Sequence, residues 1–423
     1  MRHKTKRRGT GLALVIAVVL PVTGGVAFAA PATPSSSESS DPGTTLLPPL
    51  PIRLGEGNPC TGASAQTATG ATWSQTALGL TRTQRITRGG GVTVAVVDTG
   101  VAAVPGLSGR VTAVDGAGQD CVGHGTFAAG LIAAEPRKGS GIVGMAPEAE
   151  ILAVRGTDEH GVPSVAEVAE GIRTAADRGA RVIYVGQTLR SGKAELTEAV
   201  AHATERDALV VAPAAPDAVP DEELGPDDEM PEGPYWPAAV PGVLSVVDFG
   251  PSGERQEKAP PAYEPDLSAP GSSMVSVGPK GTGHYIGSGA SLAAAGVAGT
   301  AALVRAYHPE LSASEVTRRI LDTAYPADTP RLDPYAALST ISDHREAAAP
   351  SPLPAQLPPP ADTTPHIRSL AIAAGSVATV LLLAGLAFAI PRGRARKWQP
   401  AGHAPQDLPA GTAATVGARE GSG

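Results

Sequence analysis

The sequence has little cysteine, little positive charge and no internal repeat. Two cysteines in 423 residues, Cys60 and Cys121, allow one disulfide and no stapled framework, so the fold must rest on a hydrophobic core. The 33 Lys and Arg residues are outnumbered by 41 Asp and Glu, and the formal charge of −8 argues against nucleic acid as a partner. Without a repeat, solenoid and propeller architectures drop out. Much of the negative charge is local: "PDAVPDEELGPDDEMPEG" at 216–233 carries eight acids and no base. A calcium site is one reading of it, but its spacing does not match an EF-hand loop, so a solvated, mobile acidic loop is expected there, with no metal and no cofactor.

What is present at the two ends supplies an address. The start, "MRHKTKRRGTGLALVIAVVLPVTGGVAFAA", has a basic head, an apolar stretch and "AFA" at 27–29. That is the pattern of a secretory signal peptide over 1–29, with an uncleaved anchor as the alternative. A second apolar run, "LAIAAGSVATVLLLAGLAFAI" at 370–390, is long enough to cross about 30 Å of hydrocarbon as a helix. "PRGRARKW" follows it, and clustered basic residues after a span stay cytoplasmic. The chain then divides into an N-terminal extension (30–74), a large domain (75–345), a Pro-rich stalk (346–368), a transmembrane helix (369–390) and a cytoplasmic tail (391–423). In an exported chain the two cysteines suggest one disulfide, closing a loop of about 60 residues worth roughly 4 kcal/mol in the chain-entropy model.

Between leader and stalk, apolar β-branched runs alternate with helical patterns. "GVTVAVVDTGV" (91–101) reads as a buried parallel strand with Asp98 at its carboxyl end. "GHGTFAAGLIAA" (123–134) reads as a helix opening on His124, and "AEILAVRG" (149–156) as the next strand. "SVAEVAEGIRTAADRG" (164–179) is an amphipathic helix that stops at Gly179. "ARVIYVGQT", "ELTEAVAHATERD", "ALVVAPAA" and "GVLSVVDFG" continue as strand, helix, strand, strand. The order predicts an α/β fold with a mostly parallel central sheet covered on both faces. Ligands bind at the carboxyl ends of such strands, where Asp98 and two helix starts fall. The second of those helices is "GSGASLAAAGVAG" (287–299), apolar all round, with Ser291 at its head as either an N-cap or a nucleophile.

A serine hydroxyl attacks only if a base takes its proton, histidine suits that task, and a carboxylate fixes the histidine. Asp98 could otherwise be a turn residue and His124 a loop residue. Their joint appearance, in the order Asp, His, Ser, favours the chemistry. The blocks "VAVVDTGV", "DCVGHGTFAAGLIAA" and "GSGASLAAAGVAGTAAL" resemble the three catalytic blocks of the subtilisin-like serine proteases, and "GIVGMAPEAEILAVR", "YWPAAVPGVLSVV" and "LSAPGSSMVSVGPKG" agree. More narrowly, "NPC", "DCVGHGT" and the stalk-plus-span are similar to the mycosins, the membrane-anchored subtilases of bacterial type VII secretion. The resemblance implies a subtilisin-like three-layer fold over about 75–340 and a Cys60–Cys121 disulfide pinning an extension that wraps the domain. It further implies a polypeptide substrate, and the type VII secretion membrane complex as a partner.

By the same resemblance Asp98 orients His124, His124 is the general base, and Ser291 attacks, with Ser288 a weaker candidate. "VIYVGQT" (182–188) becomes an edge strand along which substrate adds. Several positions depart from the family pattern. The serine block reads Gly289-Ala290-Ser291 with Ala295 at the proline position, and Tyr184 stands where an asparagine is common. The oxyanion-binding asparagine is missing, with Pro216 or Asp217 near its place, leaving the Ser291 backbone N–H as donor and Gln187 as a substitute. Loss of that donor slows subtilisin by about 10²–10³. A slow protease and a catalytically degenerate docking domain are the two expectations.

Overall fold

The computed structural model describes residues 46–220, 223–226, 229–341 and 364–397. The signal-peptide segment, residues 346–363 of the stalk and the tail beyond 397 lie outside the described residues. The chain forms two compact units that divide after Ser342.

In the first unit two short helices, α1 (Trp73–Ala77) and α2 (Leu80–Thr83), lead into β1 (Thr93–Asp98). There follow β2 (Val111–Ala113), α3 (His124–Ala133), β3 (Glu150–Arg155), α4 (Val165–Asp177), β4 (Val182–Val185), α5 (Lys193–Glu205) and β5 (Leu209–Pro213). Then come β6 (Leu244–Phe249), β7 (Leu267–Pro270), β8 (Met274–Val277), β9 (His284–Gly287), α6 (Ala290–Tyr307), α7 (Ala313–Asp322) and α8 (Pro334–Ser339). The first seven strands form one sheet in the order β2-β3-β1-β4-β5-β6-β7, parallel throughout, while β8 and β9 pair as an antiparallel hairpin.

Strand periodicity sorts the core into two layers. Val94 and Val96 of β1, with Tyr184 of β4 and Val211 of β5, face α3 and α6. Their neighbours Ala95, Val97, Ile183 and Val210 face α4 and α5. Successive side chains leave a strand on opposite faces, so strands buried on both faces are apolar at nearly every position. Helix α6 follows the same logic: every residue from Ala290 to Arg305 is buried, so it runs through the domain as a core helix. Here the sequence's expectation of a three-layer α/β fold is met.

Three expectations are corrected. The run 182–188 is not an edge strand: β4 pairs with β1 on one side and β5 on the other, and the edges belong to β2 and β7. Ser291 is not an N-cap, because Gly289 holds that position and Ser291 is the second residue inside α6. Nor is the acidic stretch uniformly solvated, since the side chain of Asp217 is only 6% exposed.

The segment ahead of α1 is fastened to this unit at several points. Leu50 N–H donates to Ile286 O at 2.8 Å and Ile286 N–H to Pro48 O at 3.0 Å, making a single parallel β-bridge between Pro49 and Ile286 of β9. Cys60 is bonded to Cys121, and Thr61 Oγ1 donates to Val122 O at 2.6 Å. Further on, Ala68 N–H donates to His284 Nδ1 at 2.9 Å.

The second unit is the helix α9 (Thr364–Ala395). Within residues 368–395 an 18-residue window has a mean hydropathy of 2.2 and none of it is buried, so the helix is long and apolar enough to cross a membrane. The buried α6 passes the same test of length and composition, but it is 89% buried in the first unit.

Candidate active site

The parallel sheet brings three distant segments to the carboxyl ends of its central strands. Asp98 ends β1, His124 opens α3, and Ser291 lies in the first turn of α6. The three side chains are almost wholly buried. His124 Nδ1 lies 2.8 Å from Asp98 Oδ2, and its Nε2 lies 3.0 Å from Ser291 Oγ. Acid, imidazole and hydroxyl thus lie within hydrogen-bond reach in the order that nucleophilic catalysis by serine requires.

Local chemistry holds each group in place. Thr99 N–H donates to Asp98 Oδ1 at 2.6 Å, fixing the carboxylate against its own strand end. At Gly186 a Cβ would collide with that carboxylate, so the residue after β4 has to be small. The start of α3 has no side-chain cap from Gly123. Asp120 does the work instead: its carboxylate accepts from Gly123 N–H at 2.7 Å, Thr126 N–H at 2.9 Å, Thr126 Oγ1 at 2.6 Å and Thr99 Oγ1 at 2.9 Å. It thereby satisfies orphan donors at the helix N-terminus and ties α3 to the turn after β1. Burial pushes its carboxyl up, against the pull of those four bonds. Sequence reasoning passed over Asp120, although an acid three residues before a helix cap is a usable signal.

Asp217, in the loop after β5, enters the same cluster. Its Oδ1 accepts from Ser291 N–H at 2.9 Å, its Oδ2 accepts from Ser291 Oγ at 2.5 Å, and the same oxygen is 3.2 Å from His124 Nε2. Its carboxylate also lies against Gly289, where a Cβ would meet it. His124 therefore faces a carboxylate oxygen from each ring nitrogen, an arrangement in which both nitrogens donate. Burial alone would lower its pKa, but the charge of Asp98 and the hydrogen bond to Asp217 hold it well above the ordinary histidine value.

Other nominated residues sit as follows. Gln187 Nε2 is 3.4 Å from Asp98 Oδ1. Ser288 Oγ accepts from Ser273 N–H at 2.9 Å and is 3.4 Å from Gln256 Nε2. The Tyr184 hydroxyl is buried without a hydrogen bond of good geometry, and burial together with the charges of Asp98 and Asp217 pushes it well above the usual phenol range. A cleft of about 240 Å³ opens beside the cluster, lined by His124, Gln187, Thr188, Asp217 and, from the N-terminal segment, Ile52 and Arg53.

Comparison with known proteins decides the family. Residues 89–350 match the subtilase family (peptidase S8). The chain belongs to the subtilase family of serine endopeptidases. Within it the chain is of mycosin type: it is 32% identical over 393 residues to mycosin-3 of Mycobacterium tuberculosis (strain ATCC 25618 / H37Rv), covering 76% of this chain and 84% of that one. The structure of MycP3 protease, from the type VII (ESX-3) secretion system, matches with a TM-score of 0.56 and 31% identity, covering 69% of this chain and 97% of that one. A chain in the intact ESX-5 inner membrane complex matches with a TM-score of 0.59 and 28% identity, over 82% of this chain and 96% of that one. Secreted subtilases are also similar, among them thermitase of Thermoactinomyces vulgaris, 34% identical over 246 residues, 56% of this chain and 83% of that one. In this subtilase Asp98, His124 and Ser291 meet at the carboxyl ends of the sheet, while the loop after β5 carries a carboxylate beside the serine.

Proposed function

We propose that this subtilase is a membrane-anchored endopeptidase serving a type VII secretion system, with Asp98, His124 and Ser291 as its catalytic triad. The observation that carries the reading is the 3.0 Å approach of His124 Nε2 to Ser291 Oγ, with Asp98 on the opposite ring nitrogen. In acylation the Ser291 oxygen bonds to the peptide carbonyl carbon, its proton passes to His124, and the carbonyl π pair moves onto oxygen. Collapse expels the amine, which takes the proton from His124, and water reverses the sequence to free the acid. No metal is needed. The Ser291 backbone N–H is one donor to the oxyanion, aided by the positive end of α6. A polypeptide substrate would occupy the cleft beside Gln187 and Thr188, just beyond β4.

The similarity to chains of type VII secretion structures supports the secretion role. Helix α9 and the basic residues at its end support a single span with an extracytoplasmic peptidase unit and a cytoplasmic tail. A second reading, a degenerate domain that serves as a docking part of the machinery, is favoured by Asp217, which occupies the serine's hydroxyl and backbone N–H together.

Fluorophosphonate labelling of the full-length chain in detergent separates the two. The endopeptidase reading expects an adduct that disappears in Ser291→Ala. A folded, oxidised chain without any adduct, including after Asp217→Asn, would leave the docking role.

A further inference from the structure

We propose that Asp217 is the missing oxyanion donor, acting as a neutral carboxylic acid, and that it shares a single proton with His124 to switch the site between a closed and a competent form. The inference rests on the endopeptidase reading above.

The geometry sets the problem. An oxyanion hole is two donors aimed at one point, and Ser291 N–H is the first of them. In the structure Asp217 Oδ1 itself occupies the acceptor position of that N–H, at 2.9 Å, so the carboxylate stands where the reacting carbonyl oxygen would go. Its other oxygen takes the serine proton that His124 should receive and lies against His124 Nε2. As an anion, then, Asp217 blocks the hole, misdirects the hydroxyl and keeps the base protonated. Transfer of the His124 Nε2 proton to Asp217 removes two of these obstacles, and displacement of the carboxyl by the incoming substrate carbonyl removes the third. The imidazole becomes a free base, and a carboxyl O–H swung toward the reacting oxygen becomes a donor.

Both forms contain one proton on the pair, so the proton count of the pair, not of either residue, decides competence. With two protons His124 is no base. With none Asp217 repels the developing oxyanion. Competence exists only with one proton, in the arrangement Asp217–COOH with neutral His124. During acylation the Ser291 proton goes to His124, the new oxyanion accepts from Ser291 N–H and the Asp217 O–H, and the Asp217 proton is returned when the tetrahedral adduct collapses. No outside oxidant or base is required.

The groups around Asp217 set the balance. Arg53 lines the same cleft, and the N-terminus of α6 and the Ser291 N–H favour the Asp217 anion. His124 favours it when protonated. Asp98, on the far side of the imidazole, holds the ring charged. Tyr184, buried on β4, is neutral, and Gln187 is uncharged on the cleft wall. A bound polypeptide that expels water from the cleft disfavours the separated charges and so promotes the neutral pair.

The test is the pH dependence of casein hydrolysis and of fluorophosphonate labelling by the full-length chain in detergent micelles, for the wild type, Asp217→Asn, Asp217→Ala and Ser291→Ala. The expected wild-type profile is a bell whose alkaline limb falls about tenfold per pH unit. In Asp217→Asn the amide is a permanent donor, so the alkaline limb vanishes and the plateau rate rises; Asp217→Ala also loses that limb but runs about 10²–10³ below Asn. An alkaline plateau in the wild type, or an alkaline limb that survives in Asp217→Asn, overturns the proposal. A wild type silent at every pH beside a reactive Asp217→Asn overturns it too, making Asp217 a plain block while sparing the endopeptidase reading. Silence of all forms, folded by circular dichroism, defeats that reading and the proposal together. The wild-type profile alone decides the matter if a variant does not fold.

Discussion

Asp120 and Asp207 show how single carboxylates hold the framework on which the site depends. Asp120 accepts four hydrogen bonds in a buried turn. Replacing it by Asn puts N–H groups against at least one of those donors, so a loss of about 1–3 kcal/mol in unfolding free energy is expected. Because His124 is the first residue of the helix Asp120 caps, kcat should fall more than KM changes, which steady-state kinetics beside denaturant titration will separate. Asp207, just past α5, accepts from Arg305 Nη1 at 2.9 Å and Arg181 Nη2 at 2.8 Å. Burial alone would raise its carboxyl, but the hydrogen bond and charge of Arg305 and the other donors hold it below the usual range. A depressed carboxylate contributes stability that is full above its unfolded pKa of about 3.9 and is lost as pH falls through the lower folded value. Asp207→Asn should therefore cost about 1–3 kcal/mol near neutrality, discounted because the side chain is 42% exposed although its partner Arg305 is buried. The two proteins should converge in strong acid, as denaturant titration at both pH values would show. At this scale the sequence was legible where a residue type names its chemistry. Asp98, His124 and Ser291 could be nominated that way. The direction of the Asp217 carboxylate could not, because it depends on how a proline-flanked loop turns back over α6.

Secondary-structure elements set where each residue is placed. The buried strands β1, β4 and β5 and the small-residue helix α6 announced themselves through composition, since both faces of each are covered. Short β2, three partly exposed residues, and β7, "LSAP", lack any such run, and both escaped sequence reading. The sheet order escaped it too. That β4 lies inside the sheet follows from its pairing with β1 and β5, contacts remote in sequence that no local pattern encodes. The Cys60–Cys121 bond belongs to this scale, because it fastens the N-terminal segment directly ahead of α3. With a sequence separation of 61 between its cysteines, its removal in Cys60→Ser should lower stability by about 4 kcal/mol in the chain-entropy model. Thermal unfolding of the variant beside the oxidised wild type checks this; equal melting temperatures would mean that the backbone bonds at Leu50, Thr61 and Ala68 already hold the segment.

For the whole molecule, the peptidase unit and α9 are separate compact units, so function and address should separate as well. A chain ending after Ser342 is expected to leave the membrane fraction yet keep the cooperative unfolding of the first unit, measurable by fractionation and calorimetry. Retention of the truncated chain on membranes would place an anchor elsewhere. The central claim is that a buried triad is present and that Ser291 is its nucleophile, with Asp217 restraining it. The most direct measurement is mass spectrometric mapping of the fluorophosphonate adduct on full-length wild type and Asp217→Asn. The adduct is expected on Ser291 in both, formed faster in the variant. An adduct on any other residue, or none on either folded protein, would contradict it.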